Sequence, residues 1–140
     1  GVGGLAAFNF AVVPQKHVAA LFFDAPVLDI HSWPGRDRGS KAWAELLAAY
    51  NFTETAAEAY KAGPLDRIDT VAAAKTPIIV VASEADAVVP VAENTAILAQ
   101  RYRELNADIQ VILKPGADHL PHSVKDPAPV VEFLLKRAQF

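Results

Sequence analysis

Three short apolar runs, separated by segments long enough for helices, constrain the fold of this chain more than any other feature. They are HVAALFF at 17–23, Ile78–Ala82 within TPIIVVAS, and DIQVILK at 108–114. The first is apolar without alternation, as in a strand buried on both faces of a parallel sheet. In the third, Ile109, Val111 and Leu113 share one face. Asp108, Gln110, Ile112 and Lys114 form the other, mostly polar face, which predicts a strand near a sheet edge.

The intervening segments carry helical spacing. Leu5, Phe8 and Val12 align on a helix over 3–13 that Pro14 stops. Ser40 is placed to cap a helix with Trp43, Leu46, Leu47 and Tyr50 on its apolar face. A short helix follows Thr53 and ends at Gly63-Pro64, and 66–75 adds another turn or two. Pro90 opens a long helix with Val91, Thr95, Leu98, Tyr102 and Leu105 on one stripe. Asp126-Pro127 starts the last helix, with Val130, Val131, Leu134 and Leu135 turned to the core.

Strands alternating with helices predict an α/β fold with right-handed crossovers. The expected architecture is a three-layer sandwich, a short parallel sheet of about three strands flanked by helices. A length of 140 residues suits one domain. The first strand reads as central, yet the chain offers it a partner on one side only. A neighbouring strand is therefore expected upstream, and the open edge would allow a homo-oligomer.

Composition narrows the function classes. A net charge of −3 gives no basic footprint for nucleic acid and no polybasic membrane signal. The absence of cysteine excludes disulfides, thiolate zinc sites and a cysteine nucleophile. No apolar run reaches the roughly 18 residues of a membrane span, and the start lacks a signal-like pattern. A soluble chain is expected, with its compartment left open. The sequence holds no methionine, so Gly1 reads as a cut within a longer chain or as a processed or designed start.

In parallel α/β sheets, ligands gather at the carboxyl ends of the strands. Asp24 follows the first strand, Glu84 and Asp86 the second, and Asp118, His119 and His122 the third. Asp86 and His119 thus fall on one edge, on short loops after adjacent strands. A carboxylate beside an imidazole can fix its tautomer and stabilise the imidazolium, as in a nucleophilic hydrolase. The third partner belongs on a tight turn before a helix, where backbone N–H groups can hold an oxyanion. Residues 1–4 occupy that place.

Four stretches in order, GVGGLAAFN, DAPVLDIHSWPG, SEADAVVP and KPGADHLPHS, resemble the C-terminal half of an α/β-hydrolase. The similarity lies near the serine esterases and the dienelactone-hydrolase and prolyl-oligopeptidase-like groups. It implies a single partial hydrolase domain over 1–140, with a helical cap-like insertion over 27–66. It also implies Asp86 as acid, His119 as base and Val2 N–H as an oxyanion donor, with a small ester or acyl substrate and no cofactor or metal. The nucleophilic serine of the family would fall at Gly1, which has no hydroxyl. The resemblance therefore implies ester hydrolysis in a full-length parent and little or no activity in this chain.

Other readings accompany this one. Asp24 is an alternative acid, and His122 is a rival base or a pocket residue. His31, Trp33 and His122 are candidates to line a substrate pocket. Asp118, His119 and His122 as metal ligands would need support from another strand end. Gly1, Gly3 and Ala6 fit a dinucleotide fingerprint with Asp24 at about the ribose-binding distance, though that motif needs a strand before it. A non-catalytic binding module, or a truncated homologue, would keep the scaffold without the serine.

Overall fold

The computed structural model describes residues 3–11 and 18–138. Val12, Val13, Pro14 and His17, named above, lie outside them, as do Gly1 and Val2. Among the described residues the sheet has three parallel strands in the order β1 (Leu21–Asp24), β2 (Ile78–Ser83), β3 (Ile109–Lys114). The register sets Leu21 beside Ile78 and Ile78 beside Ile109.

Side-chain alternation divides the core into two layers. Ile78, Val80 and Ala82 point to one face, with Leu21 and Phe23. There they meet Phe8 of α1 (Gly3–Ala11), Val71 of α4 (Ile68–Ala73), and Leu98 and Tyr102 of α5 (Thr95–Glu104). Ile79 and Val81 point to the other face, against Val130 and Phe133 of α6 (Ala128–Ala138). The result is a three-layer α/β sandwich. All six residues of β2 are buried, which explains its unbroken apolar run.

β1 is shorter than the apolar run that suggests it. Its ladder begins where Leu21 N–H donates to Pro77 C=O, just after the chain turns at Lys75, and Pro77 has no N–H with which to extend it. It is also an edge strand among the described residues, and Phe22 is 41% exposed. The single partner is as expected from the sequence, whereas the expected burial on both faces is corrected at Phe22.

Between β1 and α4 the chain builds α2 (Lys41–Tyr50), α3 (Glu54–Ala59) and a 3-10 turn, Pro64–Arg67. Ser40 Oγ accepts from Trp43 N–H and Thr53 Oγ1 from Ala56 N–H, as cap residues should. α3 ends before Tyr60 rather than at Gly63-Pro64. In α2 only Trp43 is buried, and its indole N–H donates to the Glu54 carboxylate, joining the two helices.

The helix expected from Pro90 is broken. A 3-10 turn, Val91–Glu93, precedes α5, and Asn94 between them is fully buried. Its Nδ2 donates back to Pro90 C=O and across to Ser32 Oγ, while Oδ1 accepts from Leu28 and Asp29 N–H. One side chain thus ties the segment after β2 to the segment after β1. The α6 register also differs. Val130 and Phe133 are buried, whereas Val131 and Leu135 are exposed, because the contact stripe runs at i, i+3, i+4 through Val130, Phe133 and Leu134.

Candidate active site

β2 and β3 end side by side, with Ser83 beside Lys114, so the loops that follow start from one edge. Backbone bonds hold these loops together. Glu84 N–H donates to Lys114 C=O, and Ala85 N–H to Ala117 C=O. Gly116 turns the second loop with φ +66, a value that disfavours side chains.

Asp86 is enclosed by this turn, with a side chain only 1% exposed. Its Oδ1 accepts from Val88 N–H at 2.9 Å and Val89 N–H at 2.8 Å. Its Oδ2 lies 2.8 Å from His119 Nδ1. A carboxylate can only accept, so the bond calls for the Nδ1–H tautomer. That leaves Nε2 with its lone pair on a side chain 19% exposed. Among the described residues, Nε2 has no hydrogen-bond partner.

Asp118 stands above among the strand-end residues and possible metal ligands, with no part in holding the loops. Its Oδ1 accepts from Ala87 N–H at 3.0 Å and from His119 N–H at 2.7 Å. These two donors, Ala87 first, hold its carboxyl below the ordinary carboxylate value. It therefore clamps the loop of Asp86 to the loop of His119. Its position beside His119 was the only signal in the sequence. Asn94 gave none, since its partners are distant in the chain.

His122 stands edge-on to His119, ring centres 5.1 Å apart. Its Nδ1 is 3.8 Å from Asp24 Oδ2, and the same Asp24 oxygen accepts from Ser123 N–H at 2.7 Å. Asp24 thus engages the histidine loop without displacing Asp86 as the partner of His119. Among the described residues, no three metal-ligating side chains converge.

Among the described residues, the three candidates to line a substrate pocket border three different cavities. His31 borders a cavity of about 480 Å³ with Glu58 and Lys61. Its ring is pinned by Asp29 Oδ1 at 2.9 Å on one side and Ala57 C=O at 2.8 Å on the other. His122 borders a cavity of about 710 Å³ with Lys114 and Lys125. Trp33 borders an apolar slot of about 280 Å³ with Leu5 of α1 and Leu46 of α2.

α1 comes close to the end of β1. A Cβ on Gly4 would lie 2.9 Å from Pro26 Cβ, so this approach requires glycine. The candidate nucleophile position, Gly1, and the candidate oxyanion donor, Val2, fall outside the described residues. No helix among the described residues is long and apolar enough to cross a membrane. No protein-family model matches the sequence, and no curated protein matches it.

Proposed function

We propose that Asp86 and His119 are the acid and base of an acyl hydrolase acting on esters or related acyl compounds. The observation that carries this reading is the 2.8 Å contact between His119 Nδ1 and the buried Asp86 Oδ2, which leaves Nε2 unbonded among the described residues on a side chain 19% exposed. In this role Nε2 takes the proton of an attacking hydroxyl as its oxygen bonds to the carbonyl carbon. It then returns that proton to the leaving group. In the second half, water attacks the acyl-enzyme and gives its proton to the same nitrogen, which passes it to the nucleophile's oxygen as the acyl–oxygen bond breaks and the acid leaves. Asp86 holds the ring and stabilises the imidazolium formed in each half.

In this reading the hydroxyl belongs to a serine at the position that Gly1 occupies, with Val2 N–H assigned as the oxyanion donor on the resemblance alone. Glycine cannot supply it, so this chain is expected to hydrolyse esters poorly, if at all. The test compares the chain with Gly1→Ser, and with Gly1→Ser carrying His119→Ala, on p-nitrophenyl acetate. A burst of p-nitrophenol in the first variant, abolished in the second, supports the reading. A folded Gly1→Ser protein with no burst, or a burst indifferent to His119, overturns it. The alternative, a binding module on the same scaffold, rests on glycine standing at position 1.

A further inference from the structure

We infer that the apolar slot between α1 and α2 binds an uncharged aromatic group, and that this group is the recognised part of the substrate. The second half of the inference rests on the hydrolase reading; the first does not. Buried Leu5 and Pro34 form the floor, half-buried Trp33 and Leu46 the walls, and exposed Ala49 and Tyr50 the mouth. Two of these six are aromatic, which suits a ring entering between them.

Size and charge define the occupant. An apolar cavity of about 150 Å³ accepts one benzene ring. The slot, at about 280 Å³, has space for a ring and a short linker. Its one charged lining residue, Glu45, lies 3.5 Å from Lys41 of the same helix. The Lys41 ammonium offsets this carboxylate, so the described lining carries no net charge to attract a charged ligand of either sign.

Position connects the slot to the acid and base. Leu5 packs in one cluster with Val27, Ile30 and Val89, and Trp33 and Leu46 lie against that cluster. Val89 is the residue whose N–H is held by Asp86 Oδ1. The slot is therefore one layer of side chains from the acid loop. It also adjoins the first turn of α1, a few residues beyond Gly1 and Val2. A substrate seated there would present the bond next to its ring toward that end of α1.

The slot is tested by NMR titration of the full chain with benzyl alcohol, using benzoate and hexanol as comparators. The two tryptophans give two indole N–H signals. Trp43, buried and bonded to Glu54, is an internal control. Saturable movement of the Trp33 signal alone, strongest for benzyl alcohol, is expected. Ala42 of α2 also lines the slot, and Ala42→Leu, which would fill part of it, should weaken binding about tenfold or more. Trp33→Phe assigns the signal, and Leu46→Ala, which widens the slot, serves if Ala42→Leu does not fold.

No saturation, equal response to benzoate, or binding indifferent to the wall variants overturns the slot. A hydrolysis arm on Gly1→Ser compares benzyl acetate with methyl phenylacetate, placing the ring on the alcohol or the acyl side. Preference for either over ethyl acetate, lost in Ala42→Leu, supports the substrate assignment, and no preference overturns it. Binding without hydrolysis upholds the slot and removes the hydrolase reading. Hydrolysis without binding does the reverse.

Discussion

Asp118 Oδ1 accepts the backbone N–H of Ala87 at 3.0 Å, so the loop that carries His119 also fastens the loop that carries Asp86. The same oxygen accepts from His119 N–H. One carboxylate, which does not touch the imidazole nitrogens, thus holds the loop of Asp86 to the loop of His119.

The clamp should fail in acid. The folded-state value for Asp118 lies below the ordinary 3.8. Its stabilisation is therefore fully present above that value and disappears as pH falls through the lower folded value. Asp118→Asn keeps an oxygen but loses the charge. Urea unfolding from pH 7 down to pH 2 should show a smaller drop in stability for the variant than for the parent. Identical acid limbs would mean that the clamp contributes nothing. Asp118→Ala should also speed exchange of the Ala87 amide proton at neutral pH.

Asp86 has two separable jobs. Asp86→Ala strips the acceptor from Val88 and Val89 N–H and should cost about 2–4 kcal/mol in urea unfolding, since buried donors are left unpaired. Asp86→Asn can keep Oδ1 toward those amides, which turns an NH₂ group toward His119. Nitrogen shifts of the imidazole should then move from the Nδ1–H to the Nε2–H tautomer with little loss of stability. A ring already in the Nε2–H form in the parent would contradict the orientation assigned to Asp86.

The pairing of Asp86 with His119 was legible because strand ends are fixed points. TPIIVVAS and DIQVILK reveal where two parallel strands stop, and adjacent stops put their loops together. The length of β1 was not legible, because its ladder depends on where β2 begins after the Lys75 turn. The separation of the pocket candidates was not legible for a similar reason. His31 and Trp33 are close in sequence, but His31 is held under α3 by Ala57 C=O and Trp33 faces α2. Short polar side chains hide best. Asn94 looks like an ordinary helix residue until its partners around Leu28, far back in the chain, are seen.

Those partners make Asn94 a sensitive position. Asn94→Ala leaves the Leu28 and Asp29 N–H groups without their acceptor and Ser32 Oγ without its donor. A loss of about 2–4 kcal/mol is expected in urea unfolding. Asn94→Asp retains the acceptor and loses both donors, and it places a charge in a buried site. It should also destabilise, because a carboxylate would face the carbonyl of Pro90. If both variants unfold with the parent, Asn94 does not tie the two segments together.

The docking face of α6 can be decided by a pair of truncations. Phe133 is 2% exposed and packs with Val130 on Ile79 and Val81, whereas Leu135 is 62% exposed. Phe133→Ala removes a ring from a closed layer and should cost about 3–5 kcal/mol. Leu135→Ala removes an exposed side chain and should stay within about 0.5 kcal/mol of the parent. The contrast matters because sequence periodicity alone accommodates a face through Val131 and Leu135 equally well. Reversal of the two effects would mean that α6 docks through that other face. It would then leave Ile79 and Val81 without their cover and the sandwich without its third layer.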